Sequence, residues 1–137
     1  MRFLVDEFAG DLARMRRLSA GELRERLLSV SGVGRETADS IILYALDKPT
    51  FVVDAYTARV LLRHGLIDET ADHDEIKETF ESNLPVDVKM FNEYHGLLVT
   101  VGKLHCKKRP VCEGCPLDVL FESPRCRPKD GLDGFDD

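Results

Sequence analysis

Apolar residues recur at intervals of three and four along most of the chain, the spacing that places them on one face of an α-helix. The runs "VDEFAGDLARMRRL", "AGELRERLLSV" and "RETADSIILYAL" show this spacing before residue 47. The runs "AYTARVLLRHG", "DHDEIKETFESNL" and "VDVKMFNEYHGLLVTVGKLHC" show it after residue 53. The short run "TFVV" is β-prone but has no partner strand, so we expect an extended connector. The pattern predicts an all-α protein.

Residues that start and stop helices stand at the boundaries of these runs. Ser19, followed three residues later by Glu22, is typical of a capping box. Asp54 is expected to cap the helix that begins at residue 55, and Gly65 to end it. Pro85 is expected to break the acidic helix before it.

The segment "SGVG", residues 31–34, joins two of the predicted helices. Gly32 and Gly34 lack a Cβ atom and can therefore adopt positive φ at no steric cost. The next helix is predicted over residues 35–46, with one apolar face formed by Ala38, Ile41, Ile42 and Ala45. A turn of this kind exposes N–H groups that suit a phosphate. From spacing alone, a simple tight turn and a phosphate site both remain open.

The net charge of −6 disfavours a polyanionic partner when it is taken as a whole. It is unevenly distributed: residues 1–64 carry +1, residues 65–102 carry −7, residues 103–129 carry +4 and residues 130–137 carry −4. Two regions can therefore face DNA while the acidic regions face away. No apolar run approaches the roughly 20 residues that span a membrane, and the first residues do not resemble a secretory signal. We expect a cytoplasmic protein without a membrane partner.

Four cysteines, Cys106, Cys112, Cys115 and Cys126, form the pattern C-x5-C-x2-C-x10-C. In a reducing compartment such clustering favours a metal site over disulfides. Four thiolates can hold a [4Fe–4S] cluster or a structural Zn²⁺, and both interpretations remain open. The basic residues of the loop can offset thiolate charge or contact phosphates; they are Lys103, Lys107, Lys108 and Arg109.

Asp54 follows the glycine turn by about 20 residues and has two compatible interpretations. It can be only a helix cap. It can also be a carboxylate at the edge of a cleft, able to stabilise positive charge on a sugar or to activate water.

Four features, "SGVGRETAD", "VVDAYTARV", the helix "HGLLVTVGKLHC" and the four-cysteine loop, occur in the order found in the endonuclease III family. The chain resembles these helix-hairpin-helix DNA glycosylases over about residues 15–126. The resemblance implies the C-terminal portion of that all-α fold, a [4Fe–4S] cluster, and double-stranded DNA with a damaged base as partner. It implies a partial helical barrel with the hairpin at residues 1–49, a cluster domain at 50–129 with its cysteine loop at 106–126, and an acidic tail at 130–137.

The resemblance also implies roles for individual residues. Asp54 matches the catalytic aspartate, and the four cysteines match the cluster ligands. The first cysteine spacing is shorter than in the family and the last is longer, which leaves Cys126 the weakest match and zinc an open alternative. The residues expected to contact DNA are Gly32, Val33, Gly34, Arg35, Thr37, Lys107, Lys108 and Arg109.

Glu36 is the main departure from the family pattern. Members that also cut the strand have a lysine at this position, whose amine attacks the sugar. Lys48 is the only lysine before residue 77, so we expect a monofunctional glycosylase. A carboxylate facing the base pocket would favour cationic, alkylated bases such as 3-methyladenine. The alternative is a surface ion pair of Glu36 with Arg35 or Arg24.

Tyr44 and Phe51 are aromatic candidates for the pocket. Either can stack on a flipped base, although aromatic residues near a helix pair more often belong to the core. We assign Tyr44 to the pocket, beside Glu36.

The family pattern starts well before this chain does. We expect either a C-terminal portion of a longer protein or a natural shortening, with apolar faces in residues 1–50 that need an oligomer or a further segment to cover them. The 137 residues alone are then not expected to be fully active. Two other functions stay open: a non-catalytic DNA-binding module, and a combined glycosylase and lyase of endonuclease III type.

Overall fold

The computed structural model describes residues 1–120, and this part contains seven α-helices and no strand. The prediction of an all-α protein is confirmed. None of the helices described is long and apolar enough to cross a membrane. The helices are α1 Arg2–Phe8, α2 Leu12–Arg16, α3 Ala20–Leu28, α4 Arg35–Ser40, α5 Ala55–Arg63, α6 His73–Asn83 and α7 Val88–Leu104. A π-helical turn, Ile41–Ala45, continues α4 directly, and a 3₁₀ turn covers Asp118–Leu120.

The helix starts follow the capping signals in the sequence. Ser19 and Glu22 form the expected capping box at α3, because the Ser19 hydroxyl accepts from Glu22 N–H and the Glu22 carboxylate accepts from Ser19 N–H. A second capping box joins Asp72 and Glu75 at the start of α6. Gly65 follows α5 with φ +67°, a conformation that favours glycine.

The first apolar run, predicted as one helix, forms two. Ala9 and Gly10 both have positive φ, at 53° and 75°, which ends α1. Asp11 then starts α2, since its Oδ1 accepts from Ala13 N–H at 2.8 Å. The prediction was wrong because a glycine and a capping aspartate interrupt an otherwise regular apolar spacing.

The helix predicted over residues 35–46 is present but changes its winding. Leu46 N–H donates to Ile41 C=O at 3.1 Å, five residues earlier, so the turn is wider than an α-helical turn. This shifts the register: Ile42 and Leu43 are buried, while Ala45 is exposed. The predicted apolar face is therefore wrong at Ala45.

Two clusters of buried apolar side chains form the core. The first lies among α1 to α4 and the π turn, and consists of Phe8, Met15, Leu23, Leu27, Ala38, Ile42 and Leu46. The second joins the extended connector to α5, α6 and α7 and includes Phe51, Val53, Leu61, Ile76, Phe80, Phe91 and Leu98. Phe51 is fully buried and stacks on Phe80 with ring centroids 3.9 Å apart. It is a core residue, which removes it as a candidate for stacking on a base.

Helices α5 and α7 pack more extensively than any other described pair. Gly102 makes this close approach possible, because a Cβ atom at that position would lie 2.5 Å from Cδ1 of Tyr56. One face of α7 thereby lies against α5 along most of its length. The helix pair also brings His95, in the middle of α7, against Asp54, the N-cap residue of α5.

Candidate active site

Asp54 stands where the extended connector of residues 50–53 ends and α5 begins. Its Oδ1 accepts hydrogen bonds from Thr57 N–H at 2.8 Å and from the Thr57 hydroxyl at 3.0 Å. The predicted helix cap is therefore present. Asp54 is only 8% exposed, and its second oxygen, Oδ2, faces away from the helix it caps.

His95 of α7 holds that second oxygen. Its Nε2 lies 2.9 Å from Asp54 Oδ2, and its Nδ1 lies 2.6 Å from the hydroxyl of Tyr44. Tyr44 comes from the π turn and is 45% exposed. Three elements that are far apart in the sequence thus contribute one continuous hydrogen-bonded chain, from Tyr44 through His95 to Asp54.

Glu36, in the first turn of α4, interacts electrostatically with the same group of residues. Burial raises the pKa of Glu36, the charge of Asp54 raises it further, and His95 acts in the opposite direction. Burial also acts to raise the pKa of Asp54, but the hydrogen bonds from His95 and from Thr57 outweigh it, so that this pKa lies below its ordinary value. The pKa of Glu36 is therefore raised and that of Asp54 is lowered.

The two arginines considered as ion-pair partners of Glu36 bind other carboxylates. Arg24 Nε lies 2.8 Å from Oδ1 of Asp39, which is completely buried, and Arg24 Nη2 lies 2.7 Å from Asp74 Oδ1. Arg35 Nε lies 3.2 Å from Asp74 Oδ2. These pairs tie the hairpin helices α3 and α4 to the start of α6.

Helix α6 fixes the connector that precedes Asp54. Glu81 accepts from Phe51 N–H at 2.8 Å. Lys77, which is buried, donates to both Glu81 and the hydroxyl of Thr50. His73 Nε2 lies 3.1 Å from the carbonyl of Val53. The acidic helix α6 therefore supports the backbone that leads to Asp54.

One of the two glycines of the turn uses the conformational freedom that glycine has. Gly32 has φ +86°. Gly34 has φ −89° and ψ −179° and is the extended residue that precedes α4. Val33 packs partly against the first core cluster, and Arg35 and Thr37 are exposed. Phosphate binding by this turn stays a prediction.

The cysteine loop folds against the far end of α5. Cys106, Cys112 and Cys115 line one cavity together with His64, Val101, His105, Val111, Leu117 and Asp118. Cys126 lies outside the described residues. Within residues 1–120, no group of three or more His, Cys, Asp or Glu side chains is arranged to hold a metal ion.

Two arginines of α5 bind this loop. Arg59 donates to the carbonyl of Cys106 at 3.2 Å. Arg63 donates to Cys106 Sγ at 3.3 Å and also binds the carbonyls of Lys107 and Lys108. Cysteine thiolates ligate metals, so the loop carries a donor set suited to a cysteine-ligated metal group, and three of its four cysteines line one cavity.

His95 is the partner of Asp54 that sequence reasoning missed. The two residues are 41 positions apart, so no local motif connects them. The available signal was helical spacing, because Phe91 lies about one turn before His95 and Leu98 about one turn after it, both on the buried face of α7. Among the predicted residues, the structure brings Glu36, Tyr44 and Asp54 together.

Comparison with known proteins identifies the family. No model of a known protein family matches the chain. The chain is 49% identical over 118 residues to a Methanocaldococcus jannaschii protein named "Putative DNA repair glycosylase MJ1434", a match that covers 85% of this chain and 53% of that protein. It is 31% identical over 129 residues to endonuclease III of Thermotoga maritima, covering 93% of this chain and 55% of that enzyme. The chain belongs to the endonuclease III family.

Endonuclease III of Bacillus subtilis extends the comparison, with 28% identity over 132 residues, 96% of this chain and 56% of that enzyme. The chain thus spans about half the length of the curated relatives it matches. Its all-α architecture agrees with the endonuclease III assignment.

Proposed function

We propose that the protein is a base-excision DNA glycosylase that hydrolyses the N-glycosidic bond of a damaged base and leaves the strand uncut. The observation that carries this proposal is Asp54, a nearly buried carboxylate with one oxygen fixed by Thr57 and the other held by His95. It occupies the position that resembles the catalytic aspartate of the endonuclease III family.

Asp54 has the protonation state that the reaction needs. The lowered pKa keeps it ionised at neutral pH. As the bond between base and sugar breaks, its electron pair leaves with the base and positive charge develops on the sugar. A fixed carboxylate stabilises that charge. It also orients the water that supplies the new oxygen at the anomeric carbon and can accept the proton that this water releases.

Glu36 is the reason for proposing that the reaction ends at the abasic site. A carboxylate cannot form the Schiff base that a lysine forms at this position. Lys48 is the only lysine before residue 77, and Lys77 itself is buried against Thr50 and Glu81. Strand cleavage through a lysine at position 36 is therefore not available to this chain.

The two carboxyl groups also support a cationic substrate. Glu36 and Asp54 lie close enough for the charge of one to raise the pKa of the other. A cleft with this charge favours a positively charged base over a neutral one of similar shape. N-alkylated purines fit this description, and they leave as neutral molecules without having to be protonated first.

We propose double-stranded DNA as the partner, bound by the hairpin turn and by the cysteine loop. The turn contributes Gly32, Val33 and Gly34, with Arg35 and Thr37 beside them. The loop contributes the exposed side chains of Lys107, Lys108 and Arg109. Arg63 holds the backbone of this basic segment, which fixes the positions from which its side chains extend.

We propose that Cys106, Cys112, Cys115 and Cys126 hold a [4Fe–4S] cluster, with a structural zinc ion as the alternative. Such a group joins the ends of the loop and supplies a rigid framework for its basic residues. Brown colour and about four irons per chain would support the cluster. A colourless protein with one zinc per chain would favour the alternative.

We further propose that residues 1–49 form part of a helical barrel and residues 50–129 a cluster domain. Apolar side chains exposed in the first region include Val5, Leu12 and Leu28, and α7 exposes Leu97 and Leu104. A further segment or a second copy of the chain would cover such surfaces.

Base release from duplexes that carry one alkylated, oxidised or mismatched base tests the proposal. We expect the intact protein to release an alkylated purine under single-turnover conditions. Asp54→Asn keeps the size and the capping ability of the side chain but removes its charge, so we expect at least about a hundredfold slower release with unchanged DNA affinity. DNA binding without release of any tested base would indicate the non-catalytic module instead.

Borohydride trapping tests the absence of lyase activity. Wild-type protein should form no covalent adduct with the duplex that it processes. A trapped adduct would overturn the interpretation of Glu36.

The Glu36→Gln variant tests the charge preference. Release of a cationic base should fall by roughly tenfold relative to release of a neutral one, since tenfold corresponds to about 1.4 kcal/mol. Glu78→Gln, on the exposed face of α6, is the control and should leave the ratio unchanged. An unchanged ratio in Glu36→Gln would contradict the proposed preference.

A further inference from the structure

The hydrogen-bonded chain from Tyr44 to Asp54 has one consistent arrangement of protons when His95 is neutral. Asp54 Oδ2 belongs to an ionised carboxylate and can only accept, so His95 Nε2 donates to it across 2.9 Å. The other ring nitrogen, Nδ1, is then an acceptor, and the Tyr44 hydroxyl donates to it across 2.6 Å. Tyr44 thus selects the tautomer of His95 that can bind Asp54.

The packing around His95 leaves the ring little freedom to turn. Its side chain is 14% exposed. It projects from the face of α7 that packs on α5, between the buried residues Phe91 and Leu98. The Tyr44 ring lies beside it with ring centroids 6.0 Å apart. The helix pair therefore fixes the imidazole from one side and the π turn from the other.

The carboxylate is held at two points by partners from different helices. Thr57 binds Oδ1 from within α5, and His95 binds Oδ2 from α7. Thr57 alone would fix one oxygen and leave the carboxylate free to rotate about it. The second contact sets the plane of the carboxylate, and with it the direction of the remaining lone pair of Oδ2.

We propose that His95 is a positioning residue for Asp54, and that Tyr44 acts through His95 by setting its tautomer. This inference rests on the proposed glycosylase function, since the reacting group is Asp54. His95 itself makes no contact with the substrate in this mechanism. Its effect is to hold the carboxylate in the orientation in which it faces the sugar and the attacking water.

Substitutions at position 95 separate hydrogen bonding from packing. His95→Gln places an amide nitrogen near the position of Nε2 and keeps a donor for Asp54. His95→Phe keeps an aromatic ring and removes the donor. Circular dichroism and thermal unfolding of the intact variants confirm that both are folded before any other comparison.

The first measurement is a titration of the Asp54 carboxyl group by carbon-13 NMR of the intact protein, which gives its pKa. We expect this pKa to rise in His95→Phe and to stay near the wild-type value in His95→Gln. A His95→Phe variant with the wild-type value would overturn the proposal, whatever its activity. This measurement needs no substrate and therefore does not depend on the proposed function.

The second measurement is single-turnover base release together with DNA affinity. Loss of a hydrogen bond to a charged group corresponds to about a 10- to 100-fold slower chemical step. We expect a loss of this size in His95→Phe, a loss of less than about threefold in His95→Gln, and unchanged DNA affinity in both. Equal losses in the two variants would overturn the positioning role, because the retained donor would then have no effect.

Tyr44→Phe tests the remaining link. We expect the rate of base release to fall by about three- to tenfold in Tyr44→Phe. In a protein that already carries His95→Phe, the same substitution should have a smaller effect, because His95→Phe has already removed the contact to Asp54. Tyr94→Phe, which alters a tyrosine that packs on Phe51 and Phe80, should leave the rate unchanged. Fully additive losses would show that Tyr44 does not act through His95.

The two measurements distinguish the two proposals. A wild-type protein that releases no base, with an Asp54 pKa that still rises in His95→Phe, would reject the glycosylase function and keep the positioning role. If the wild-type protein is active and His95→Phe changes neither its rate nor the pKa of Asp54, the glycosylase function is kept and the positioning role is rejected.

Discussion

The two ends of helix α5 bind very different partners. At its N-terminus, Asp54 is held by side chains, with Thr57 on one oxygen and His95 on the other. At its C-terminus, Arg59 and Arg63 bind mainly backbone carbonyls of the cysteine loop. The helix is nine residues long, about 13 Å from end to end.

This difference shows how one short helix connects the proposed catalytic carboxylate to the cysteine loop. Side-chain partners at the first end fix the orientation of a single carboxylate. Backbone partners at the second end fix the course of a loop whatever its side chains are. The loop can therefore present the basic residues that we propose to contact DNA while its position relative to Asp54 stays constant. Four changes would break or sharpen this contrast, from the largest expected effect to the smallest.

Cys106→Ser should have the largest effect on stability, and that effect should arise in the cysteine loop at the C-terminal end of α5. With the proposed ligation of a metal group by the loop, the serine hydroxyl is a poor replacement for a thiolate ligand, so we expect loss of most of that metal and a decrease of several kcal/mol in the free energy of unfolding. Metal analysis and urea unfolding measure both. Cys126→Ser is the sharper test of the ligand set, because a variant that keeps its full metal content would exclude Cys126 as a ligand.

Gly102→Ala should separate the two helices that carry Asp54 and His95. The added Cβ would lie 2.5 Å from Tyr56, and overpacking of this kind costs about 1–3 kcal/mol. Gly96→Ala is the matched control on the same helix, since a Cβ there meets no atom within 4 Å and alanine stabilises a helix by up to about 1 kcal/mol. Urea unfolding should give opposite signs for the two variants. Equal stabilisation would contradict the close packing of α5 against α7.

Arg63→Gln should loosen the cysteine loop without disturbing Asp54. Loss of hydrogen bonds from a charged group gives an expected decrease of about 1–2 kcal/mol in the free energy of unfolding, together with weaker DNA binding. Arg14→Gln is the control, because Arg14 is exposed and lies 3.9 Å from the equally exposed Asp11, a pair of little energetic value. A decrease in base release from DNA that is already bound would mean that the two ends of α5 are not independent.

The smallest effect should be the pH dependence contributed by the carboxyl groups of Asp54 and Glu36. Asp54 has a lowered pKa in the folded state, so its stabilising contribution is present above its ordinary value of 3.8 and is lost as the pH falls through the folded value. Glu36 has a raised pKa, so its contribution is present below its ordinary value of 4.5 and is lost as the pH rises through the folded value.

Urea unfolding between pH 3 and pH 7, a range chosen to span ordinary carboxyl pKa values, tests this sign difference. Asp54→Asn should weaken the loss of stability in acid, and Glu36→Gln should raise the stability at pH 7 relative to pH 4. Shifts of the same sign in both variants would contradict the opposed environments of the two groups.

Local sequence signals predicted most of the helix boundaries correctly. Ser19 with Glu22, Asp54, Gly65 and Pro85 act within a few residues of the positions they define, so the sequence contains the whole interaction. The same holds for the extended connector before Asp54, which is flanked by clear helices on both sides.

Contacts between distant segments could not be predicted in the same way. In the π turn, Ile42 packs in the first core cluster and Leu43 in the second. Helical spacing does not encode this division between two clusters. Lys77 is a typical surface residue by type, yet it is buried because Thr50 and Glu81 both accept from it. His95 required knowledge that α5 and α7 lie side by side.

The π turn at Ile41–Ala45 has a consequence for how this segment tolerates changes in length. A π turn contains one residue more than the α-helical turn it replaces. Deleting a single residue there would restore regular winding and leave the flanking residues of α4 and the connector in nearly the same orientation. The aromatic side chain of Tyr44 would then no longer reach His95 of α7. A one-residue deletion at this position should therefore be tolerated by the fold while it changes the surroundings of Asp54.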